Sequence, residues 1–156
     1  MDFDKFVQLM EELQNRRVDY VLVGGVALNL QGIVRATEDV DLFVRASEDN
    51  VAKLKAALRA VWEDPEIELI SAAELATNYP TVRYGPPSED FLIDIFARLG
   101  DAVHYEDLEF ELIEVEGTAI RVATPRTLCR MKRDTIRPID KADAAVLKDK
   151  FDVGDD

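Results

Sequence analysis

The chain lacks most of what it would need to bind a nucleic-acid duplex, to span a membrane or to form disulfides. Its 156 residues contain 19 Lys and Arg against 32 Asp and Glu, which gives a net charge of −13. Duplex binding depends on a broad basic surface that neutralises phosphates, so duplex DNA is not expected as a partner. The single cysteine, Cys129, allows no intramolecular disulfide and fits a reducing cytoplasm. No apolar run approaches the roughly 20 residues of a membrane span, so no membrane contact is expected.

Residue types that often carry chemistry are also scarce. His104 is the only histidine, and a histidine without a second His or Cys at ligand spacing is expected to lie on the surface. We expect Cys129 and Trp62, the only tryptophan, to belong to the core. The sequence contains neither a Walker phosphate-binding motif nor a full dinucleotide fingerprint. These absences direct attention to carboxylates and glycines.

The composition supports one packed domain. Hydrophobic residues make up 47% of the chain, which is enough for a core, so global disorder is not expected. We expect a single domain over residues 1–150, followed by a disordered acidic tail over residues 151–156.

The hydrophobic pattern predicts helices between the early strands and a run of strands later. Strands are expected at residues 20–23, 40–44, 81–84 and 91–96, and a hairpin is expected from residues 110–115 and 118–122. Helices are expected from residue 3 to about 16, over 25–31, after Ser47, over 71–78, after Pro125, and from about Asp140 to Lys150. This order predicts an α+β fold, a mixed β-sheet covered by helices, with further helices at the C-terminus.

Two glycines and two aspartates form the most informative pattern of the chain. Gly24 and Gly25 end an apolar strand, and glycine lets backbone N–H groups approach a phosphate closely because it has no Cβ. Asp39 and Asp41 follow in a second apolar run, where alternation of side chains puts both carboxylates on one face. Like charges this close repel each other unless a cation lies between them. The pattern therefore indicates half of a divalent-metal site beside a place for a triphosphate.

Asp94 is the second strong signal, because it lies in the middle of the apolar strand 91–96. An ionised carboxylate in such a setting is costly unless a cation or hydrogen-bond donors compensate. One interpretation is that Asp94 is a third metal ligand that meets Asp39 and Asp41. The alternative is an ion pair between Asp94 and either Arg83 or Arg98.

The segment from Gly24 to Leu42 resembles the nucleotidyltransferase superfamily with a polymerase-β-type core. It is most similar to small members such as AbiEii-type toxins, MNT-like proteins and lincosamide nucleotidyltransferases. Members carry Gly-Ser or Gly-Gly, a short helix, often Arg-x-Thr (here Arg35 and Thr37), and then Asp-x-Asp. The later Asp94 strand agrees in order, whereas Gly25 stands where many members have Ser and so lacks a hydroxyl contact to phosphate.

The resemblance implies a Mg²⁺-dependent enzyme that moves a nucleoside monophosphate from an NTP to a hydroxyl on a small molecule, a protein or an RNA end. Asp39, Asp41 and Asp94 would be catalytic and would hold two Mg²⁺ ions. The residues that it implies for nucleotide binding are Gly24, Gly25, Arg35, Thr37 and Lys132. Small members of this kind are associated with toxin–antitoxin pairs, so an antitoxin or a homodimer partner is expected. The alternative is a non-catalytic module of the same fold that binds a nucleotide or a partner.

For the supporting residues the sequence leaves two interpretations open. Arg35 either contacts a phosphate or pairs with a neighbouring carboxylate. Thr37 either braces the loop before Asp39 or makes a local turn bond. Lys132 either steadies a triphosphate as a point charge or is a solvated helix lysine.

Overall fold

A six-stranded mixed sheet forms the centre of the molecule. The computed structural model describes residues 2–34, 39–77, 81–99, 103–133 and 138–151. The strands of this sheet are β1 (Tyr20–Val23), β2 (Asp39–Val44), β3 (Thr81–Tyr84), β4 (Leu92–Phe96), β7 (Phe110–Val115) and β8 (Thr118–Ala123). A separate two-stranded ladder pairs β5 (Arg98–Leu99) with β6 (Val103–His104).

The helices lie between these strands and at the C-terminal end of the described chain. They are α1 (Phe3–Asn15), α2 (Gly24–Leu30), α3 (Glu48–Val61), α4 (Ala72–Leu75), α5 (Pro125–Arg133) and α6 (Pro138–Phe151), with 3₁₀ turns at Pro65–Leu69 and Tyr105–Asp107. Helix α1 packs against α3 and β8, α2 packs against β1 and β2, and α5 packs against α6. No helix in the described ranges is long and apolar enough to cross a bilayer.

The strand order β3-β4-β2-β1-β8-β7 explains how distant parts of the sequence meet. Strand β2 pairs antiparallel with β1 and parallel with β4, while β1 also pairs parallel with β8. The hairpins β3–β4 and β7–β8 close the two sides of the sheet. Strands β2 and β4 are therefore neighbours near the middle, although α3, α4 and β3 lie between them in the sequence.

Local sequence signals account for where the helices begin. The side chains of Asp2, Ser47 and Ser71 each accept a hydrogen bond from a backbone N–H in the first turn of α1, α3 and α4. The Thr124 hydroxyl accepts from the Thr127 N–H at 3.2 Å, and Pro125 occupies the first position of α5. Side chains at helix N-termini satisfy N–H groups that have no partner within the helix.

Most elements agree with the prediction, and the α+β fold with a mixed sheet is confirmed. The prediction missed the β5–β6 ladder, whose two-residue strands are too short to show alternation. It began the last helix at about Asp140, and α6 begins two residues earlier, at Pro138, because proline suits a first helical position.

The core confirms the expected roles of the scarce residues. Trp62 is 5% exposed, and its ring lies 6.5 Å from Tyr84 and 6.1 Å from Phe91 between ring centroids. Cys129 is also buried and faces α6, where its Sγ lies 3.5 Å from the Ala144 carbonyl oxygen. His104 is exposed, as expected. The expected tail at residues 152–156 lies outside the described residues.

Candidate active site

Strand β2 carries two carboxylates on its more accessible face. Val40 and Leu42 are fully buried, whereas Asp39 and Asp41, which alternate with them, are only partly buried. The alternation of side chains along a strand produces this pattern, because residues i and i+2 point to the same side. One face of β2 therefore builds the core, and the other face presents Asp39 and Asp41.

Strand β4 brings a third carboxylate directly beside the first two. In the parallel β2–β4 pair, Asp94 is the register partner of Asp41. Its neighbours Ile93 and Ile95 are fully buried, so Asp94 shares the accessible face with Asp41. Because adjacent strands are separated by roughly 4.8 Å, the backbone places these two acidic residues side by side.

Gly24 makes the approach of Asp41 possible. It follows β1, adopts a positive φ of +73°, and lies next to Asp41 because Val23 is the register partner of Asp41. A Cβ at Gly24 would clash with Asp41 Oδ2 and would lie 2.8 Å from Asp41 Cγ. Any side chain at position 24 would therefore displace the carboxylate as well as strain the backbone.

The first turn of α2 opens beside the same carboxylates. Helix α2 begins at Gly24, and its N-cap residue is Val23, which makes no side-chain hydrogen bond to the helix. The first N–H groups of a helix need partners from outside the helix, and they carry partial positive charge. Val23 therefore does not cap this turn, and Gly25 has no side chain that could do so.

Asp94 also takes part in an ion pair. Arg83 is its partner in the antiparallel β3–β4 register and reaches it with two nitrogens. Arg83 Nε donates to Asp94 Oδ1 at 2.8 Å, and a terminal nitrogen donates to Oδ2 at 3.2 Å. The hydrogen bond to Asp94 raises the pKa of Arg83, and the charges of Asp94, Asp39 and Asp41 act in the same direction. The predicted alternative of an ion pair is thus confirmed for Arg83, whereas Arg98 lies opposite His104.

The donor set suits a hard divalent cation, although its atoms are not gathered around one point. Mg²⁺ prefers oxygen ligands, and two or three carboxylates with water and phosphate oxygens suffice. Three such residues share one face here through register. Within the described ranges, no group of three or more His, Cys, Asp or Glu side chains is already placed to hold a metal ion. The ion pair with Arg83, which engages both oxygens of Asp94, gives a physical reason for this.

Several predicted residues cannot be located by side chain. Arg35 and Thr37 lie outside the described residues. Lys132 lies in α5, but its side chain is outside the described part of the structure. Their predicted roles in nucleotide binding therefore stay predictions.

Sequence reasoning recognised Arg83 only as a partner that could neutralise Asp94. It missed that Arg83 belongs to the acidic site as a whole, because that depends on the β3–β4 register and the strand order. A signal was present nonetheless. Val82 and Tyr84 flank Arg83 and point to the packed side of β3, which leaves Arg83 on the face that Asp94 occupies in β4.

Solved structures with a similar fold include nucleotidyltransferases. A crystal structure of ANT(2″)-Ia in complex with adenylyl-2″-tobramycin matches with a TM-score of 0.54 and 15% identity, covering 94% of this chain and 87% of that chain. A solution structure of the antibiotic-resistance factor ANT(2″)-Ia matches with a TM-score of 0.56 and 15% identity, over 97% and 86%. A candidate nucleotidyltransferase from Thermotoga maritima matches with a TM-score of 0.50 and 15% identity, over 94% and 90%. At this identity the likeness establishes the fold alone.

The sequence itself identifies the family. The family model described as nucleotidyl transferase AbiEii toxin of a type IV toxin–antitoxin system matches residues 8–154. The chain therefore belongs to the AbiEii nucleotidyltransferase family, and the class of enzyme is a nucleotidyltransferase. No individually curated protein matches the sequence. The resemblance drawn from the Gly24–Leu42 segment is confirmed.

Proposed function

We propose that this enzyme transfers a nucleoside monophosphate from an NTP to a hydroxyl acceptor in a Mg²⁺-dependent reaction, as the toxin of a toxin–antitoxin pair. The observation that carries the proposal is the register of Asp41 with Asp94 on two parallel strands, with Asp39 on the same face and Gly24 beside them. A structural domain gains nothing from three carboxylates on one accessible face, because like charges on neighbouring strands destabilise a sheet.

The three carboxylates would hold two Mg²⁺ ions, with Asp94 on the side of the attacking hydroxyl. Bound metal of this kind lowers the pKa of the acceptor and neutralises charge on the leaving pyrophosphate. Asp94 would also help to deprotonate the acceptor hydroxyl. Gly24, Gly25 and the first turn of α2 would bind the β- and γ-phosphates through backbone N–H groups.

The acceptor is proposed from charge and from the relatives. A net charge of −13 favours a cationic small molecule or a protein over a long nucleic acid. The crystal structure of ANT(2″)-Ia holds an adenylylated tobramycin, so a related fold accommodates a product of this kind. An antitoxin or a second copy of the chain stays a prediction as the partner.

Transfer of label from each of the four NTPs tests the proposal. Each α-³²P-labelled NTP is incubated with the protein, Mg²⁺ and three classes of acceptor, namely tobramycin, lysate proteins and tRNA. We expect labelled acceptor and released pyrophosphate with one class. Replacing Asp41 by Asn removes a metal ligand with little change in shape, and should lower the rate by at least about 100-fold, or about 3 kcal/mol.

A matched control separates the site from a general loss of charge. Asp49→Asn makes the same chemical change on α3, where the side chain of Asp49 is 83% exposed and paired with Lys53. This variant should keep the wild-type rate. If Asp41→Asn also keeps that rate while circular dichroism shows both variants folded, the proposed site is wrong.

The non-catalytic module is the second candidate, and the Arg83–Asp94 ion pair is the observation that favours it, because it occupies both carboxylate oxygens. Calorimetry with ATP, with and without Mg²⁺, distinguishes the two. ATP binding without label transfer or pyrophosphate release with every acceptor class would support the module.

A further inference from the structure

Arg83 forms an ion pair with Asp94, one of the three carboxylates of the candidate active site. We propose that Arg83 is a built-in counter-cation that competes with a divalent ion for Asp94, and so sets how tightly the site binds metal. The inference rests on the proposed function only in taking Asp94 as a metal ligand. Arg83 is thus a positioning residue, since it acts through Asp94.

The contact geometry makes the competition direct. The guanidinium donates to both oxygens of Asp94, at 2.8 Å and 3.2 Å. A planar fork matched to a carboxylate is the strongest form of this ion pair. A divalent ion that binds an oxygen of Asp94 must share it with Arg83 or displace Arg83, so part of the metal's binding energy offsets the loss of the pair.

Differences in burial decide which partner moves. The side chain of Asp94 is 13% exposed, whereas that of Arg83 is 61% exposed. Asp94 is held in β4 between buried neighbours, while Arg83 sits on the outermost strand of the sheet, one strand beyond Asp94 on the side away from Asp41. The guanidinium can therefore swing into solvent without unpacking anything, and the carboxylate stays in place.

The arginine also has a reason to remain when no divalent ion is bound. Asp41 and Asp94 are register partners on neighbouring strands, and Asp39 lies on the same face. Like charges on neighbouring strands repel each other, and the charges of all three carboxylates act on Arg83. The proposal therefore predicts opposite effects of removing Arg83, since the metal-free protein loses stability while the site gains metal affinity.

Titration with Mn²⁺ alone tests this, without nucleotide and with free Mn²⁺ followed by electron paramagnetic resonance. Arg83→Gln removes the charge from an exposed position and is expected to fold. We expect its Kd for Mn²⁺ to be lower than that of the wild type by roughly 2- to 5-fold, the range that an exposed ion pair supplies. Arg83→Lys keeps a charge without the fork and should fall between the two.

Arg16→Gln is the matched control. It removes the same charge from another exposed ion pair, which Arg16 Nε forms with Glu12 Oε2 at 2.9 Å at the C-terminal end of α1. Because this pair includes no carboxylate of the candidate site, the Mn²⁺ affinity should not change. In an Asp94→Asn background, Arg83→Gln should no longer tighten Mn²⁺ binding, because the residue it acts through is gone.

Thermal melting gives an independent readout. Arg83→Gln should melt below the wild type without metal, and Mn²⁺ should raise its melting temperature by more than it raises that of the wild type. If Arg83 had a purely structural role, its replacement would lower the melting temperature equally with and without Mn²⁺. The inference is overturned if Arg83→Gln binds Mn²⁺ no more tightly than the wild type.

The outcome also separates this inference from the proposed function. If Asp41→Asn abolishes Mn²⁺ binding while Arg83→Gln leaves it unchanged, the metal site stands and the competition by Arg83 is wrong. If Asp41→Asn binds Mn²⁺ like the wild type, the proposed metal site is wrong, and the proposed role of Arg83 is then wrong as well.

Discussion

At the scale of single residues, the contact between Gly24 and Asp41 links backbone conformation to the candidate site. The sequence suggested that Gly24 leaves room for a phosphate. The structure adds that it leaves room for Asp41, since a Cβ there would clash with the carboxylate. A protein fragment without β1–β2 pairing would not need this glycine, so the requirement arises from tertiary structure.

We expect Gly24→Ala to be destabilising for two separable reasons. Alanine at a positive φ costs about 1–2 kcal/mol, and displacing Asp41 adds at least about 1 kcal/mol. Gly117→Ala is the matched control, because Gly117 has a φ of +83° but nothing within 4 Å of an added Cβ. Urea denaturation should show the larger loss at position 24, and only that variant should bind Mn²⁺ more weakly. Equal losses would mean that Asp41 adapts without cost.

The residue scale also shows how far sequence reasoning extends. The shared face of Asp39 and Asp41 follows from alternation, which needs no tertiary knowledge. That Asp94 stands opposite Asp41, rather than Asp39, depends on the β2–β4 register, which no local pattern specifies. The pairing of Arg83 with Asp94 depends on one further register, between β3 and β4.

At the scale of elements, one buried amide joins three parts of the fold. Asn50 is 3% exposed and lies in the first turn of α3. Its Oδ1 accepts from the Asp19 N–H at 2.7 Å, and its Nδ2 donates to the carbonyl oxygens of Asp19 at 3.0 Å and Arg45 at 2.8 Å. It thereby ties the entry of β1 and the exit of β2 to α3.

Replacing Asn50 by Ala should lower the free energy of unfolding by about 3 kcal/mol, because it leaves buried backbone groups without partners. Gln8→Ala truncates an exposed amide on α1 and should change that free energy by less than about 0.5 kcal/mol. Denaturant titrations of both variants provide the measurement. A loss at Asn50 as small as that at Gln8 would show that water replaces the amide.

Elements with strong local signals were predictable, and those fixed by long-range pairing were not. The Ser47 cap and the β7–β8 hairpin around Glu116 and Gly117 follow from turn and cap chemistry, and both are present. The β5–β6 ladder consists of strands of two residues each, which are too short to carry a pattern of their own. Helix α6 begins earlier than expected because Pro138 starts it instead of preceding it.

At the scale of the whole molecule, several tyrosines make stability sensitive to alkaline pH. Burial raises the pKa of Tyr20, Tyr84 and Tyr105. For Tyr84 the hydrogen bond that its hydroxyl donates to Asp64 Oδ2, at 2.8 Å, acts in the same direction. These residues lie on β1, on β3 and in the 3₁₀ turn Tyr105–Asp107, so they report on the whole fold.

The sign of the pH effect follows from the raised values. A tyrosine whose pKa is higher in the folded state contributes stability that is complete below the ordinary value of 10 and is lost as the pH rises toward the folded pKa. We expect the free energy of unfolding to fall above pH 10. Tyr84→Phe should cost about 1 kcal/mol near pH 8 through the lost hydrogen bond, and should show a shallower decline above pH 10. Parallel curves would contradict the assignment to Tyr84.

The strand order also dictates when the candidate site can come into being. Asp39 and Asp41 are brought beside Gly24 by the β1–β2 pairing alone, but Asp94 arrives only with β4, more than fifty residues later in the chain. During synthesis, Asp39 and Asp41 therefore leave the ribosome well before Asp94. Because contacts of high sequence separation form late, a nascent or truncated chain that ends before β4 would carry the β1–β2 pair with its two aspartates but not the complete candidate site.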